Sequence, residues 1–358
     1  MKRILFGFTN KYRIKWLLSL ELAVTKIHHE NAGGDTMAEM KTIAVLTSGG
    51  DAPGMNAVTR AVVREALYKG KKVKGIMRGY AGLLNEEIFD MDASSVSDTI
   101  SRGGTKLQTA RCLEFVDPDV QKRAADICRK HQIDGLVVVG GDGSFRGAQR
   151  LAALGVNTVA VPGTIDLDIA CTDYTVGFDT AINTAMDAID KIRDTSTSHE
   201  RCTIIEVMGR HAGYIALWCG IACGAEDILL PEKYSYNEQE IINHVLENRK
   251  KGKQHHIIIN AEGIGNSQEM AKRIEAATGM ETRASILGYM QRGGMPTCKD
   301  RVYATTMGAM AVDLLCEGKS NRVVAYKNGE FCDFDIDEAL AMKKELPDYM
   351  YYITKSLV

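Results

Sequence analysis

The chain has 358 residues, of which 45% are hydrophobic and 25% are charged. That length suits two domains better than one hydrophobic core, and the composition is that of an ordinary globular protein, which excludes a disordered or fibrous one. Lysine plus arginine (44) nearly balances aspartate plus glutamate (46). A chain so close to neutral has no overall basic field, so we expect neither nucleic acid nor an anionic membrane as a partner.

Residues 1–40 differ from the rest of the chain. The stretch 1–30 is basic, and its apolar patch at 16–20 is ended by Glu21. A signal peptide has a longer apolar core followed by small residues at a cleavage site, which this segment lacks. We interpret 1–40 as a leader that is disordered or reflects a start codon chosen upstream of Met37 or Met40. The longest nearly apolar run, 215–225, is shorter than the ~20 residues that cross a bilayer.

From Lys41 onward, short apolar runs rich in β-branched residues alternate with segments of helical periodicity. Six of these runs are predicted strands, at 42–46, 73–77, 135–139, 158–161, 203–207 and 256–260. Because each run is apolar throughout, we expect parallel strands that are buried on both faces. The alternation predicts an α/β protein of the doubly wound type.

Small and acidic residues follow four of the predicted strands, at 47–51, 140–144, 162–166 and 208–210. In doubly wound sheets, ligands bind beyond the carboxyl ends of the strands. These four segments therefore predict a catalytic face.

The segment 140–144, Gly-Gly-Asp-Gly-Ser, lies between a predicted strand and a helix-like stretch at 145–154. Glycines at such a turn let backbone N–H groups and a helix N-terminus contact a phosphate, and Asp142 could hold the Mg²⁺ that bridges phosphates. The alternative is a tight turn capped by Asp142 and Ser144. Because the Walker pattern is absent, the segment indicates phosphate binding but not the acceptor.

The segment 162–168 adds a threonine hydroxyl and two carboxylates, Asp166 and Asp168, after the next strand. A carboxylate beside bound phosphates can take the proton that an acceptor hydroxyl loses in phosphoryl transfer. Arg210 could neutralise charge on the transferred group. Taken alone, the two aspartates are compatible with a solvated loop or a metal site, and the arginine with a surface ion pair.

Arginines and cysteines give two further indications. Arg201, Arg283 and Arg292 offer planar donors that suit a phosphate on a metabolite, so together they predict an anionic substrate. The nine cysteines are scattered and odd in number, which favours reduced thiols and a cytoplasmic location. Cys219 and Cys223, with His211 upstream, are too few for a tetrahedral zinc site.

Five motifs occur in a fixed order along the chain. They are Leu-Thr-Ser-Gly-Gly-Asp-Ala-Pro-Gly-Met-Asn at 46–56, Gly-Gly-Asp-Gly-Ser at 140–144, Pro-Gly-Thr-Ile-Asp at 162–166, Val-Met-Gly-Arg at 207–210 and Gln-Arg-Gly-Gly at 291–294. With these motifs the chain resembles the bacterial ATP-dependent 6-phosphofructokinases of the phosphofructokinase A family. The resemblance runs from about Lys41 to the C-terminal region.

The resemblance implies transfer of the ATP γ-phosphoryl group to the 1-hydroxyl of D-fructose 6-phosphate, the committed step of glycolysis, with Mg²⁺ as cofactor. It implies Asp166 as the proton acceptor, with Thr164 and Arg210 beside it. The implied ATP ligands are Gly49, Arg102, Gly103, Gly141, Asp142, Gly143 and Ser144, of which Asp142 also holds the metal. The implied sugar ligands are Thr164, Asp166, Arg201, Met208, Gly209, Arg210, Glu262, Arg283, Tyr289 and Arg292.

The same resemblance implies an assembly. Arg201 and Arg283 would reach the 6-phosphate from a neighbouring subunit of a homotetramer. It also implies an effector site for ADP and phosphoenolpyruvate between subunits, formed by Arg60, Arg64, Arg193, Glu226, Lys251 and Lys253. Ala93 stands where an effector-site arginine is usual, so we expect weak regulation.

Glycine at positions 143 and 163 bears on the phosphoryl donor. Related pyrophosphate-dependent enzymes carry Asp and Lys there, and the two glycines leave room for ATP. Two other positions depart from the family pattern, since Leu167 replaces the usual Asn and Tyr289 the usual His. Tyr289 can donate a hydrogen bond but cannot carry the charge of a protonated His.

The resemblance also implies two Rossmann-like domains with the active site in the cleft between them. We expect an ATP-binding domain at 41–177 plus 290–341 and a fructose 6-phosphate-binding domain at 178–289 plus 342–358. The alternatives are a non-catalytic regulatory paralogue that binds sugar phosphate, a pyrophosphate-dependent phosphofructokinase, and a kinase for NAD or lipids that shares only the glycine-rich turn.

Overall fold

The computed structural model describes residues 40–233, 237–354 and 356. The predicted leader, 1–40, lies outside the described residues except for Met40. From Met40 onward the described chain forms one compact unit. Within the part of the chain that the structure describes, no helix combines the length and apolar character that crossing a membrane requires.

Twelve strands form two sheets in the described residues. Their bounds are β1 Thr42–Thr47, β2 Lys72–Ile76, β3 Ile88–Met91, β4 Gly135–Gly140, β5 Asn157–Thr164, β6 Val176–Gly177, β7 Cys202–Val207, β8 Asp227–Leu229, β9 His256–Ala261, β10 Thr282–Ile286, β11 Arg322–Lys327 and β12 Glu330–Asp335. The larger sheet has the order β12-β11-β5-β4-β1-β2-β3, with β6 paired to β5. The smaller sheet has the order β10-β7-β9-β8 and is parallel throughout.

Eleven α-helices are described, and they connect and cover these strands. Their bounds are α1 Met55–Tyr68, α2 Gly79–Leu84, α3 Pro118–Lys130, α4 Asp142–Ala153, α5 Phe178–Ser198, α6 Tyr214–Cys223, α7 Glu238–Lys250, α8 Ser267–Thr278, α9 Cys298–Cys316, α10 Ile336–Ala341 and α11 Asp348–Thr354. The 3₁₀ turns are Ser94–Val96, Leu113–Val116 and Gly288–Arg292.

Alternation along the central strands builds a core on each face of the larger sheet. Ile43 and Val45 belong to one apolar cluster, which includes side chains of α1 and α9. Ala44 and Leu46 belong to the other, which includes side chains of α3 and α4. Successive side chains of a strand point to opposite faces, so both faces of β1 are buried. Full burial of a Val, Leu or Ile side chain contributes about 1.5–3 kcal/mol, so a strand that is buried on both faces is a firm frame for a site at its end.

The α/β class is confirmed, and all six predicted strands are strands whose mutual pairings are parallel. The larger sheet also has an antiparallel strand pair at each edge, β2–β3 and β11–β12, which the sequence analysis did not predict. The predicted start of a helix at 145 is wrong. Helix α4 begins at Asp142, because the extended Gly141 is the one residue between the end of β4 and the helix and serves as its N-cap.

The two sheets use different parts of the chain. Strands of the larger sheet lie within 42–177 and 322–335, and strands of the smaller one lie within 202–286. This partition agrees with the expected segments, while their division into two domains stays a prediction.

Candidate active site

The strand ends of the larger sheet border a cavity of about 590 Å³. Helix α4 contributes its first turn, and Arg210, which follows β7 of the smaller sheet, closes the cavity from another direction. The predicted site residues that line it are Gly49, Gly141, Asp142, Gly143, Ser144, Thr164, Asp166, Arg210 and Arg292. The structure therefore brings all four predicted strand-end segments together at one cavity.

A close approach between strand ends shapes one wall of this cavity. A Cβ on Gly140 would lie 2.4 Å from the Ser48 carbonyl oxygen, so only glycine fits there. Ser48 N donates to Val139 O at 2.9 Å, and Ser144 Oγ donates to Ser48 O at 3.2 Å. These contacts hold the first turn of α4 against the end of β1. Ser144 N and Phe145 N donate to Gly141 O, at 2.8 and 3.1 Å, and the N–H groups of Asp142 and Gly143 at the helix start suit an anionic ligand.

Four aspartates line the cavity, and three of them, Asp142, Asp166 and Asp168, have raised pKa values. Burial, reinforced by the charge of Asp168, raises the pKa of Asp166 to about 6. Burial raises the pKa of Asp142, again with a contribution from Asp168, and burial also raises the pKa of Asp168 itself. A carboxyl group with a pKa near 6 is a stronger base than an ordinary aspartate yet is still ionised at neutral pH.

Arg210 owes its position to a turn that Glu262 holds in place. Arg210 has a left-handed backbone conformation with a φ of 55°. Its N–H and that of Gly209, at 3.3 Å, both donate to Glu262 Oε1. The neighbouring Met208 N donates to Gln291 Oε1 at 2.9 Å. These hydrogen bonds fix the backbone that carries the Arg210 side chain. The predicted contact of Met208, Gly209 and Glu262 with a sugar stays a prediction.

Arg292 and Tyr289 both lie in the 3₁₀ turn Gly288–Arg292 that follows β10. Arg292 Nη1 is 3.5 Å from Asp51 Oδ1 and occupies space that a side chain at Gly50 would need. Tyr289 is 81% exposed, and its ring centre is 5.7 Å from Arg292 Cζ. Arg292 lines the cavity, and Tyr289 lies outside it.

The other predicted phosphate-binding arginines lie away from the cavity lining. Arg201 Nε is 2.8 Å from Glu281 Oε2, and Arg283 Nη2 is 2.6 Å from Glu281 Oε1. One surface carboxylate therefore pairs with both guanidinium groups. Neither arginine lines the cavity.

The structure also does not bring the predicted nucleotide ligands Arg102 and Gly103 to the cavity lining. Both of their carbonyl groups accept from the Asn56 side chain, at 3.0 and 3.4 Å. A Cβ on Gly103 would lie 2.3 Å from the Gly294 carbonyl oxygen. In the structure this segment is a packing element, because its glycine is needed where two backbones meet.

Several lining residues were not predicted from the sequence. Arg111 and Cys112 line the cavity. They follow Arg102 and Gly103 in the chain, which were predicted to contact the nucleotide but do not line the cavity. Thr109 Oγ1 donates to Gly49 O at 2.8 Å and anchors that loop beside the cavity. A single arginine in an irregular loop carries no periodic or glycine signal, so sequence patterns alone gave no reason to select Arg111.

The predicted effector residues form two separate groups in one chain. Arg193 donates to the carbonyl groups of Cys223 and Gly224, and Lys253 Nζ is 2.5 Å from Glu226 Oε1. Burial alone would raise the pKa of Glu226, but hydrogen bonds from Lys253 and from Ile257 N lower it.

Lys251 lines a second cavity, of about 310 Å³, together with Glu226. Arg60 and Arg64 belong to α1, where Arg64 Nη2 donates to Ala93 O at 3.0 Å. This second group lies on the larger-sheet part of the chain.

No group of three or more His, Cys, Asp or Glu side chains arranged to hold a metal ion is present in the described residues. Mg²⁺ usually takes one or two protein carboxylates and completes its shell with phosphates and water. Asp142, open to the cavity at the start of α4, fits that pattern.

Comparisons with known proteins agree on one family. The family described as "Phosphofructokinase" matches residues 42–315. The curated "ATP-dependent 6-phosphofructokinase" of Clostridium botulinum (strain Loch Maree / Type A3) is 59% identical over 89% of this chain and 99% of its own length. The protein of the same description from Clostridium acetobutylicum is 58% identical with the same coverage.

A solved structure gives the same result. The Pichia pastoris phosphofructokinase in the T-state is 34% identical, with a TM-score of 0.79 over 92% of this chain. The match covers 40% of that longer yeast chain.

Proposed function

The chain belongs to the phosphofructokinase family, and we propose on that basis that it transfers the γ-phosphoryl group of ATP to the 1-hydroxyl of D-fructose 6-phosphate. The products are fructose 1,6-bisphosphate and ADP. The observation that carries the proposal is the single cavity in which the carboxyl group of Asp166, the first turn of α4 and the guanidinium of Arg210 meet.

Asp166 is the proposed proton acceptor. In the reaction the 1-hydroxyl oxygen forms a bond to the γ-phosphorus, the bond from that phosphorus to the bridging oxygen of ADP breaks, and the hydroxyl proton passes to the Asp166 carboxylate. With a pKa of about 6, this group is ionised at neutral pH and basic enough to receive the proton. Thr164 Oγ1 accepts from Asp166 N at 3.2 Å and fixes the turn on which the carboxylate is carried.

The nucleotide occupies the part of the cavity that α4 borders. The backbone N–H groups of Gly141, Asp142 and Gly143 and the positive end of the helix dipole bind its phosphates. Arg210 neutralises charge that develops on the transferred group. Asp142 would hold Mg²⁺, which when bound with the nucleotide offsets the charge of its phosphates.

Two glycines support ATP as the donor over pyrophosphate. A Cβ at Gly143 would meet nothing within 4 Å, so the missing side chain leaves open cavity space that the larger donor needs. A Cβ at Gly163 would approach Met55 Cε at 2.9 Å and Val139 Cγ1 at 3.1 Å. A lysine at 163 would therefore require Met55 to move, and the space suits glycine.

The sugar 6-phosphate is proposed to bind Arg201 and Arg283 of a neighbouring subunit in a homotetramer. In support, both guanidinium groups lie outside the cavity of their own chain and share one carboxylate, Glu281. Near them, Ile286 is 54% exposed, which suits a surface that a second subunit covers. Tyr289 belongs to the same exposed surface and would donate a hydrogen bond to the phosphate.

An effector site for ADP or phosphoenolpyruvate remains part of the proposal, with its two residue groups joined only across subunits. The ion pair of Lys253 with Glu226 and the nearby Arg193 support it. A cytoplasmic location is also proposed, supported by nine cysteines that are all described and all free thiols.

A coupled assay for fructose 1,6-bisphosphate, with Mg²⁺, fructose 6-phosphate and either ATP or pyrophosphate, tests the proposal. We expect turnover with ATP that falls about 10²–10⁴-fold in Asp166→Asn. Turnover with pyrophosphate alone would contradict the argument from Gly143 and Gly163. A folded protein that binds fructose 6-phosphate but is silent with both donors would be the regulatory paralogue instead.

A further inference from the structure

The side chain of Lys344 reaches the loop that follows Asp166. Its Nζ donates to Leu167 O and to Thr172 O, both at 2.8 Å, with a longer contact of 3.5 Å to Ile169 O. These carbonyl groups all belong to the loop between β5 and β6. A single ammonium group therefore draws the two ends of the stretch 167–172 together.

The backbone of this loop is strained at the residue between two cavity carboxylates. Leu167 has a φ of 56°, in the left-handed region that β-carbon crowding makes unfavourable for leucine. Such a conformation persists only where surrounding contacts fix it. Asp166 and Asp168 flank Leu167, so any rotation of the backbone at 167 changes the direction of both carboxyl groups.

Lys344 is itself held in place from the other side. Its Nζ lies 5.0 Å from the centre of the Tyr214 ring, and Tyr214 OH donates to the backbone oxygen of Glu345 at 3.1 Å. Leu346, two residues on, is buried. Because Tyr214 begins α6, the segment 344–346 connects that helix to the loop after β5.

Burial lowers the pKa of Lys344 to about 8, as expected for an ammonium group withdrawn from water. The three carbonyl oxygens replace the hydrogen bonds that water would provide. The adjacent Lys343 is exposed. The two neighbouring lysines therefore provide a matched pair, one turned to the loop and one to solvent.

We propose that Lys344 is a positioning residue, which fixes the left-handed turn at Leu167 and thereby the directions of the Asp166 and Asp168 carboxyl groups. The catalytic consequence rests on the proposed function, because it takes Asp166 as the proton acceptor. Lys344 touches neither substrate nor nucleotide in this account. It acts through the loop backbone.

The test compares Lys344→Met with Lys343→Met in two measurements. We expect kcat of Lys344→Met to fall by roughly 10–100-fold, because misplacing a reacting group by about 1 Å has an effect of that order. KM for ATP should stay within about threefold, since the loop carbonyl groups do not contact the nucleotide. Amide hydrogen exchange of a peptide covering 165–174 should be faster than in the wild type.

The controls separate positioning from general destabilisation. Lys343→Met should match the wild type in both measurements, and Lys344→Arg should recover part of kcat because a guanidinium can donate to the same carbonyl groups. In a Leu167→Asn background the effect of Lys344→Met should be smaller, because asparagine tolerates the left-handed conformation. Equal losses in the two backgrounds would contradict the link to the turn.

An unchanged kcat in Lys344→Met, or a reduced kcat with unchanged exchange of 165–174, would overturn the proposal. Should Lys344→Met fail to fold, Lys344→Gln, which keeps one amide donor, is held to the same criteria. Hydrogen exchange can be measured whether or not the protein turns over its substrates. A wild-type protein without phosphofructokinase activity would therefore refute the proposed function, while the exchange comparison would still decide whether Lys344 holds the loop.

Discussion

The two sides of the cavity differ in how completely one chain builds them. On the larger-sheet side, the ends of β1, β4 and β5 meet the first turn of α4, and Ser144 bonds directly to Ser48. On the smaller-sheet side, Arg210 and Arg292 line the cavity, whereas Arg201 and Arg283, which were also predicted to bind the substrate phosphate, pair with Glu281 instead. The half proposed to bind the nucleotide is therefore built within one chain, and the half proposed to bind the sugar phosphate is not.

This difference has a physical origin. A phosphate can be bound by backbone N–H groups at a helix start, which the fold of one chain supplies as soon as β4 and α4 form. Binding a second phosphate by arginine side chains requires several guanidinium groups to converge. Within one chain, Arg201 and Arg283 converge on the carboxylate of Glu281 instead.

Apart from the loss of turnover in Asp166→Asn, the largest expected effect is on the incomplete half. Arg283→Ser should raise KM for fructose 6-phosphate about 10–100-fold, because a hydrogen bond to a charged group is worth about 1.5–3 kcal/mol. KM for ATP should not change, since Arg283 does not line the nucleotide cavity. Steady-state kinetics with each substrate varied checks this, with the exposed Lys272→Ser as control. A change in KM for ATP alone would reverse the assignment of the two halves.

Next in size is a stability effect on the complete half. Gly140→Ala should lower the free energy of unfolding by about 1–3 kcal/mol, since its Cβ would lie 2.4 Å from both Ser48 O and Ser144 Oγ. Gly141→Ala is the matched control, because a Cβ there meets nothing within 4 Å. Urea unfolding of the two variants checks the prediction, and equal stabilities would contradict it.

A pH effect should also arise on the complete half. The proton acceptor must be ionised. We therefore expect kcat to reach its plateau above the pKa of Asp166, about 6, and to decline as the pH falls through that value. The charge of Asp168 helps to raise that pKa. Asp168→Asn should therefore move the acidic limb of the kcat–pH profile to lower pH. A limb that stays in place or moves upward would show that another group controls it.

A smaller effect is expected at Tyr289 on the incomplete half. Tyr289→His should lower the half-saturation concentration of fructose 6-phosphate at pH 6 relative to pH 8, because a protonated imidazole adds a positive charge beside the phosphate. The wild type should show a flatter dependence. Saturation curves from pH 6 to 8 check this, and coincident curves for the two proteins would refute it.

The smallest expected effect is regulatory. Where a further arginine is usual, Ala93 offers only a backbone carbonyl, which Arg64 already uses. Phosphoenolpyruvate should therefore inhibit weakly, and Ala93→Arg should strengthen inhibition. A titration with phosphoenolpyruvate at fixed fructose 6-phosphate measures both, and strong inhibition of the wild type would contradict the prediction.

Sequence patterns located the central strands because their residues are apolar on both faces. β1, β4, β5, β7 and β9 are continuous runs of that kind, and the predicted bounds agree closely at their starts. β12 and β3 were missed because they are short or half-exposed edge strands whose residues mix polar and apolar types. β6 spans two residues and has no pattern to find.

The site shows a similar division. Gly141–Ser144, Thr164, Asp166 and Arg210 were found because they follow strands, and all line the cavity. Arg111 and Lys344 were missed because each lies in irregular chain, far in sequence from the residues it joins.

The amino-acid sequence by itself determined the α/β class and the strand ends that border the cavity, since hydrophobic periodicity and glycine clusters are local properties of the chain. Only the tertiary structure decided that Arg102 and Gly103 pack away from the cavity, that Glu281 pairs with both surface arginines, and that Lys344 braces the turn at Leu167. These contacts join residues far apart in the chain or depend on three-dimensional packing, and neither periodicity nor spacing encodes which distant side chains will meet.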